Sequence, residues 1–146
     1  MDLFQRPTGE ALPLSQERLI TVFKENDWRY FIDDEDDFGA LWDGSTFFFL
    51  LRGDEQEILH IQSLWNREID PERLDDVRIF IEEWHRTHFW PKCFYRIRED
   101  GKVRVFTENN IDWEHGVTDK QLQQQVTCAV ASSRSFYDGL EAELAL

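Results

Sequence analysis

DPERLDDVRIFIEEWHRTHFWPKCFYRIREDGKVRVF, residues 70–106, reads as an amphipathic helix, a stop and a β-hairpin. Asp70 is a good N-cap, and Pro71 stands at the first helical position, where its missing N–H costs nothing. Leu74, Val77, Phe80, Ile81, Trp84 and His88 recur at helical spacing on one stripe, with Arg73, Asp76, Glu83 and Arg86 elsewhere. Pro91 cannot continue a helix and biases Trp90 toward an extended backbone. The chain then runs through Lys92–Arg98, turns at Glu99-Asp100-Gly101 and returns through Lys102–Thr107. A three-residue loop sets Arg98 opposite Lys102, Arg96 opposite Arg104 and Phe94 opposite Phe106. Tyr95, Ile97, Val103 and Val105 then share the inner face. A two-residue turn would mix the faces, so the alternation selects the longer loop. The outer face carries a basic stripe of Arg96, Arg98, Lys102 and Arg104. Two readings stand for it: a dock for an acidic segment of a partner, or a solvated face balanced by the chain's own carboxylates.

Upstream, Ser15 can cap a first helix through about Asn26, with Leu19, Val22 and Phe23 facing in. Trp28, Tyr30, Phe31 and Ile32 form a short extended segment. The acidic run Asp33–Asp37 is a solvated turn; a calcium loop counted from Asp34 fits Gly39 but puts Phe38 and Ser45 where ligands belong. Asp43-Gly44 joins two strands, Phe38–Trp42 and Thr46–Leu51. Phe47-Phe48-Phe49-Leu50-Leu51 does not alternate, so that strand needs cover on both faces. Either the tail or the middle helix covers the second face, or a partner does, with Phe48 and Leu50 on the exposed side. A long strand follows from Gln56 to about Arg67, with Leu59, Ile61, Ser63 and Trp65 on one face and His60, Gln62 and Asn66 on the other. Downstream of the hairpin, Asn109-Asn110 and Glu114-His115-Gly116 form a loop. Thr118 and Gln121 make a capping box. The last helix carries Leu122, Val126, Ala129, Ser133, Phe136, Tyr137 and Leu140 on one stripe, and Gly139 weakens its end.

The 146 residues suit one domain. Residues 1–14, broken by Pro7, Gly9 and Pro13, are expected to be a poorly ordered tail, and 15–146 the domain. The formal net charge of −14 argues against nucleic acid as a partner. No apolar run approaches a membrane span, and the N-terminus reads as neither signal nor transit peptide, so a cytoplasmic location is expected. Cys93 and Cys128 are expected to be free thiols. His85, His88 and Cys93 fall short of the four ligands that a structural zinc site needs. No nucleophile elbow and no phosphate-binding glycine pattern is present. No catalytic, cofactor-binding or metal-binding residue is assigned.

Five stretches form a set: Trp42-Asp43-Gly44 before the aromatic strand, Gln56–Leu59 opening the long strand, Trp90-Pro91-Lys92 after the helix, the Glu99–Gly101 turn, and Glu114–Asp119 leading to the last helix. Through them the chain resembles the YbjN-domain family over most of residues 15–140, a family labelled as sensory-transduction regulators. The resemblance implies a fold like that of type III secretion chaperones: α+β, three helices with an antiparallel sheet of five or six strands, in the order α-βββ-α-ββ-α. It also implies a dimer, and it carries over no catalytic residue. The expected function is a non-enzymatic protein-binding domain, chaperone-like or regulatory, acting as a homodimer that also engages another protein. Its candidate contact residues are Phe48, Leu50, Ile79, Arg96, Arg98, Lys102 and Arg104. The alternative is a small-ligand sensor with a tryptophan-lined pocket between sheet and helices.

Overall fold

The structure, a computed structural model, describes residues 9–146. Its elements are α1 (Gln16–Glu25), β1 (Phe31–Ile32), β2 (Phe38–Trp42), β3 (Ser45–Arg52), β4 (Ile58–Ile69), α2 (Leu74–Thr87), β5 (Lys92–Ile97), β6 (Val103–Asp112) and α3 (Asp119–Leu144). The six strands form one antiparallel sheet in the order β1-β2-β3-β4-β6-β5. The architecture is thus the expected α+β one, with the short extended segment at residues 31–32 supplying the sixth strand.

All three helices pack on one face of the sheet. Leu19, Val22 and Phe23 of α1 and Leu122, Val126 and Ala129 of α3 share a core with Phe38, Phe47, Phe49, Leu59 and Ile61. Val77, Ile81 and Trp84 of α2 join Phe136, Tyr137 and Leu140 of α3 over Trp65, Val103, Val105 and Cys93. Helix α3 therefore spans both halves of the core. Where the halves meet, a buried hydroxyl chain ties sheet to helix: Tyr137 Oη lies 2.6 Å from Ser63 Oγ, Ser63 meets Thr107, and Thr107 Oγ1 lies 2.7 Å from Ser133 Oγ. These four polar groups satisfy one another, as buried hydroxyls must.

Local chemistry explains most of the element boundaries. Ser15 caps α1, and Thr118 with Gln121 forms the capping box of α3. Asp43 and Gly44 both take positive φ, 53° and 79°, the two-residue turn that suits the strand twist. The hairpin has the expected register, with Arg96 opposite Arg104 and Phe94 opposite Phe106, and Arg98 N–H donates to Lys102 O. In the acidic turn the Asp33 carboxylate accepts from the Glu35 and Asp37 amides, which holds the turn from within.

Several expectations need correction. Asp70 precedes a 3₁₀ turn, Pro71–Arg73, and makes no cap bond, because its carboxylate is drawn across to the Lys102 ammonium. His88 lies beyond the end of α2, exposed, and stacks on Trp84 at 3.5 Å rather than entering the core. The long strand begins at Ile58, since Gln56 takes a positive φ in the preceding turn. Asn109 and Asn110 continue β6, because the long β4 pairs with it as far as Ile58 opposite Asp112. Ile97 is 55% exposed although its side chain falls on the inner side, for β5 is the outermost strand and no helix reaches its end. Gly139 lies within α3 and not at a weak end: a Cβ there would stand 2.9 Å from the Phe80 ring, so the glycine admits α2 against α3. Residues 1–8 of the expected tail lie outside the described residues. The rest of it is held, with Leu12 bridged to Val117 and Leu14 buried.

Candidate protein interface

Because side chains alternate across a strand, the face opposite the helices is equally determined. Phe31, Leu41, Phe48, Leu50, Leu64, Phe94 and Phe106 all stand on it, and no helix among the described residues packs there. One row runs across the sheet through Leu41, Thr46, Leu64, Phe106 and Phe94. A second runs through Phe31, Gly39, Phe48, Gln62, Glu108 and Lys92. The missing Cβ of Gly39 lets the Phe31 ring lie over β2 and meet Phe48 edge-on at 5.8 Å. Phe94 and Phe106 stack in parallel at 5.0 Å. The rings thereby half-bury one another without any covering element, while Leu41 remains 61% exposed.

The charged residues of the stripe divide into two groups. Arg98 pairs with Glu68 at 2.8 Å and Asp100 at 2.7 Å, Lys102 pairs with Asp70, and Arg104 lies 3.8 Å from Glu68 and donates to Trp65 O. The Lys102 ammonium in turn holds the Asp70 carboxyl below its ordinary range. Arg96 has no carboxylate partner among the described residues; its guanidinium lies over the Phe94 and Phe106 rings at 5.9 and 5.7 Å. The second reading of the stripe therefore fits three of its four cations, and Arg96 is the free one.

Of the seven candidate contact residues, Phe48, Leu50, Arg96 and Arg104 share the open face. Arg98 and Lys102 sit at its hairpin end. Ile79, 66% exposed, is on the outer side of α2, across the molecule from the others. Phe31, Leu41, Leu64, Phe94 and Phe106 belong to the face as well, beyond the expected residues. Alternation with Val105, Tyr95 and Trp65 was the available signal for three of them.

Nucleophile chemistry finds little support in the geometry. Burial pushes the Cys93 thiol and the Tyr137 hydroxyl well above their ordinary ranges, so both stay protonated near neutrality. His85 Nε2 accepts from Cys93 N–H at 2.9 Å, which fixes it as a backbone acceptor. The tryptophan recess at Trp28 and Trp42 measures about 200 Å³, below the range of small-molecule sites at roughly 300–1,000 Å³. A larger groove of about 790 Å³ runs along α3, lined by polar side chains such as Lys120, Gln123 and Gln124 and by no tryptophan.

Comparison with known proteins matches residues 15–142 to the family model YbjN, described as "Putative bacterial sensory transduction regulator". No curated protein sequence matches the chain. Among solved structures the chain is similar to one titled "Crystal structure of YbjN, a putative transcription regulator from E. coli". The match covers 82% of this chain and 86% of that one, at 13% sequence identity and a TM-score of 0.69. At that identity the likeness concerns the fold.

Proposed function

The chain belongs to the YbjN family, and from that membership we propose that it is a non-enzymatic protein-binding domain, chaperone-like or regulatory, which pairs with a second copy of itself. The open apolar face of the sheet carries this reading. A two-fold axis along the strands, at the seam of β3 and β4, would lay β1 of one copy over β5 of the other and β2 over β6. Because the axis runs along the strands, residues of the same row would meet: Leu41 with the ring of Phe106, Thr46 with Leu64, Phe48 with Gln62, and Phe31 with the aliphatic stem of Lys92. The row of Leu41, Leu64 and Phe106 would supply the apolar centre of such an isologous interface, with Phe48 and Phe31 beside it. Two sheets so packed would lie about 10 Å apart. The net charge of −14 and the internal pairing of three of the stripe's cations favour regulation through protein contact over contact with DNA. Among the described residues no helix is long and apolar enough to cross a membrane. We further propose that the domain works in the cytoplasm.

Sedimentation tests the reading. The wild-type chain is expected to sediment as a dimer at micromolar concentration, and Phe48→Asp and Leu64→Asp as monomers with unchanged circular dichroism. A wild-type monomer at high micromolar concentration would refute it.

A further inference from the structure

We propose that the free edge of β5, with the groove beside it, binds an extended acidic segment of another protein as a seventh strand. The proposal rests on the protein-binding reading; it uses the backbone edge of β5, whose Arg96 and Lys92 side chains also border the open face, so sedimentation tests the dimer and peptide titration the edge. β5 ends the sheet order, and its partner β6 uses only one of its two sides. Backbone groups alternate between those sides in an antiparallel pair. Arg98 N–H donates inward to Lys102 O, so Arg96 and Phe94 also bond inward, and Cys93, Tyr95 and Ile97 direct their polar groups outward. His85 confirms the phase by taking the outward Cys93 N–H. That bond closes the edge at Cys93, and among the described residues the amides and carbonyls of Tyr95 and Ile97 stay open.

Beside the open stretch lies a groove of about 320 Å³ lined by Arg78, Ile81, Glu82, His85, Cys93 and Tyr95. Alternate side chains of an added strand would enter it, and Ile97 would gain cover. The others would stand beside Arg96, the cation without a carboxylate, and near Lys92, which only approaches Glu108 at 3.9 Å. β5 itself carries Lys92 and Arg96, with Arg98 just beyond, and no acidic residue, on a chain of net charge −14. The edge therefore suits apolar residues alternating with carboxylates.

A second copy fits poorly. Pairing β5 with itself about Tyr95 sets Lys92 against Arg98 twice, and pairing about Arg96 sets Arg96 against itself. Like charges directly opposite are unfavourable in either register. An edge with basic side chains is also what keeps identical strands apart.

The test uses the full chain and a peptide of four Glu-Val repeats, followed by amide NMR and fluorescence anisotropy. Binding is expected to shift and protect the Tyr95 and Ile97 amides, which exchange freely without peptide while Arg96 is protected. Methylating every second peptide amide should abolish binding for one of the two alternating sets and spare the other. Ile97→Pro removes an outward N–H while keeping the ladder to β6, and should weaken binding at least about tenfold. Arg96→Glu should weaken it about fivefold and favour a Lys-Val peptide instead. Equal effects of the two methylation sets, no protection at Tyr95 and Ile97, or equal affinity for the Lys-Val peptide in the wild type would overturn the proposal. So would Tyr95 protection that grows with protein concentration alone, which would assign the edge to a second copy. The methylated peptides leave the protein untouched, so the test holds even if a variant misfolds.

Discussion

Thr107 holds the middle of the buried hydroxyl chain, between Ser63 and Ser133, and Tyr137 holds one end. Position in the chain should set the size of each loss. Thr107→Val leaves Ser63 with Tyr137 but strands the Ser133 hydroxyl, and should cost about 2 kcal/mol. Tyr137→Phe leaves Ser63 still bonded to Thr107, and should cost about 1 kcal/mol. Urea unfolding of both variants measures the order; equal losses would mean that the hydroxyls act as fillers. The hairpin gives a second prediction at this scale. The Lys102 ammonium lowers Asp70, and the Lys102 amide followed by the Arg98 guanidinium lowers Asp100, both from an ordinary 3.8. A carboxyl lowered by folding contributes stability above its unfolded value and loses it as pH falls through the folded one. Stability should therefore drop as pH falls below 3.8. Asp100→Asn should lose less than the wild type between about pH 5 and about pH 3, as read by urea titration.

Helix starts separate what a residue type can do from what it does in place. Thr118 accepts from Gln121 N–H at 3.0 Å and Gln121 answers the Thr118 amide, so Thr118→Ala should cost about 1 kcal/mol. Asp70 has the same textual credentials but makes no cap bond. Asp70→Ala should cost clearly less, with its effect seen in hairpin amide exchange and not in α2. If thermal melts rank the two the other way, the boundary at Leu74 is misplaced. The contrast shows which features were legible in the sequence. The register of β5 and β6, the Asp43-Gly44 turn and the stripe of α3 depend on near neighbours and on period, and all were readable. Asp70's true partner stands at Lys102, the depth of Ile97 depends on which strand is outermost, and Gly139 makes room for Phe80; each depends on a distant segment. For the open face, Phe48, Leu50 and Arg96 were readable from a strand apolar on both sides and a basic stripe. Phe94, Phe106 and Leu64 are hidden in the sequence because each alternates with a residue that supplies core, Tyr95, Val105 and Trp65. Ile79 stands apart from them on α2, because an exposed apolar residue does not reveal its layer in the sequence.

At the scale of the molecule, charge separates the two proposed surfaces. Two copies, each of net charge −14, repel as they approach, although the faces that meet are apolar. Salt shortens the screening length from about 10 Å at about 0.1 M to about 3 Å at about 1 M, and should therefore strengthen dimerisation. The β5 edge attracts an acidic segment locally through Arg96 and Lys92, and salt should weaken that contact. Raising sodium chloride from about 0.05 to about 0.5 M is thus expected to tighten the dimer constant and loosen Glu-Val peptide binding, each by a factor of roughly three to ten. Sedimentation and anisotropy on the same preparation measure both. A peptide that binds more tightly in salt would mean that the whole acidic surface outweighs the local cations, and the edge would then favour an apolar strand without carboxylates. A dimer that loosens in salt would mean that ion pairs hold the copies together. That outcome would move the interface off the apolar rows, because those rows have few charges to pair beyond Lys92 and Glu108.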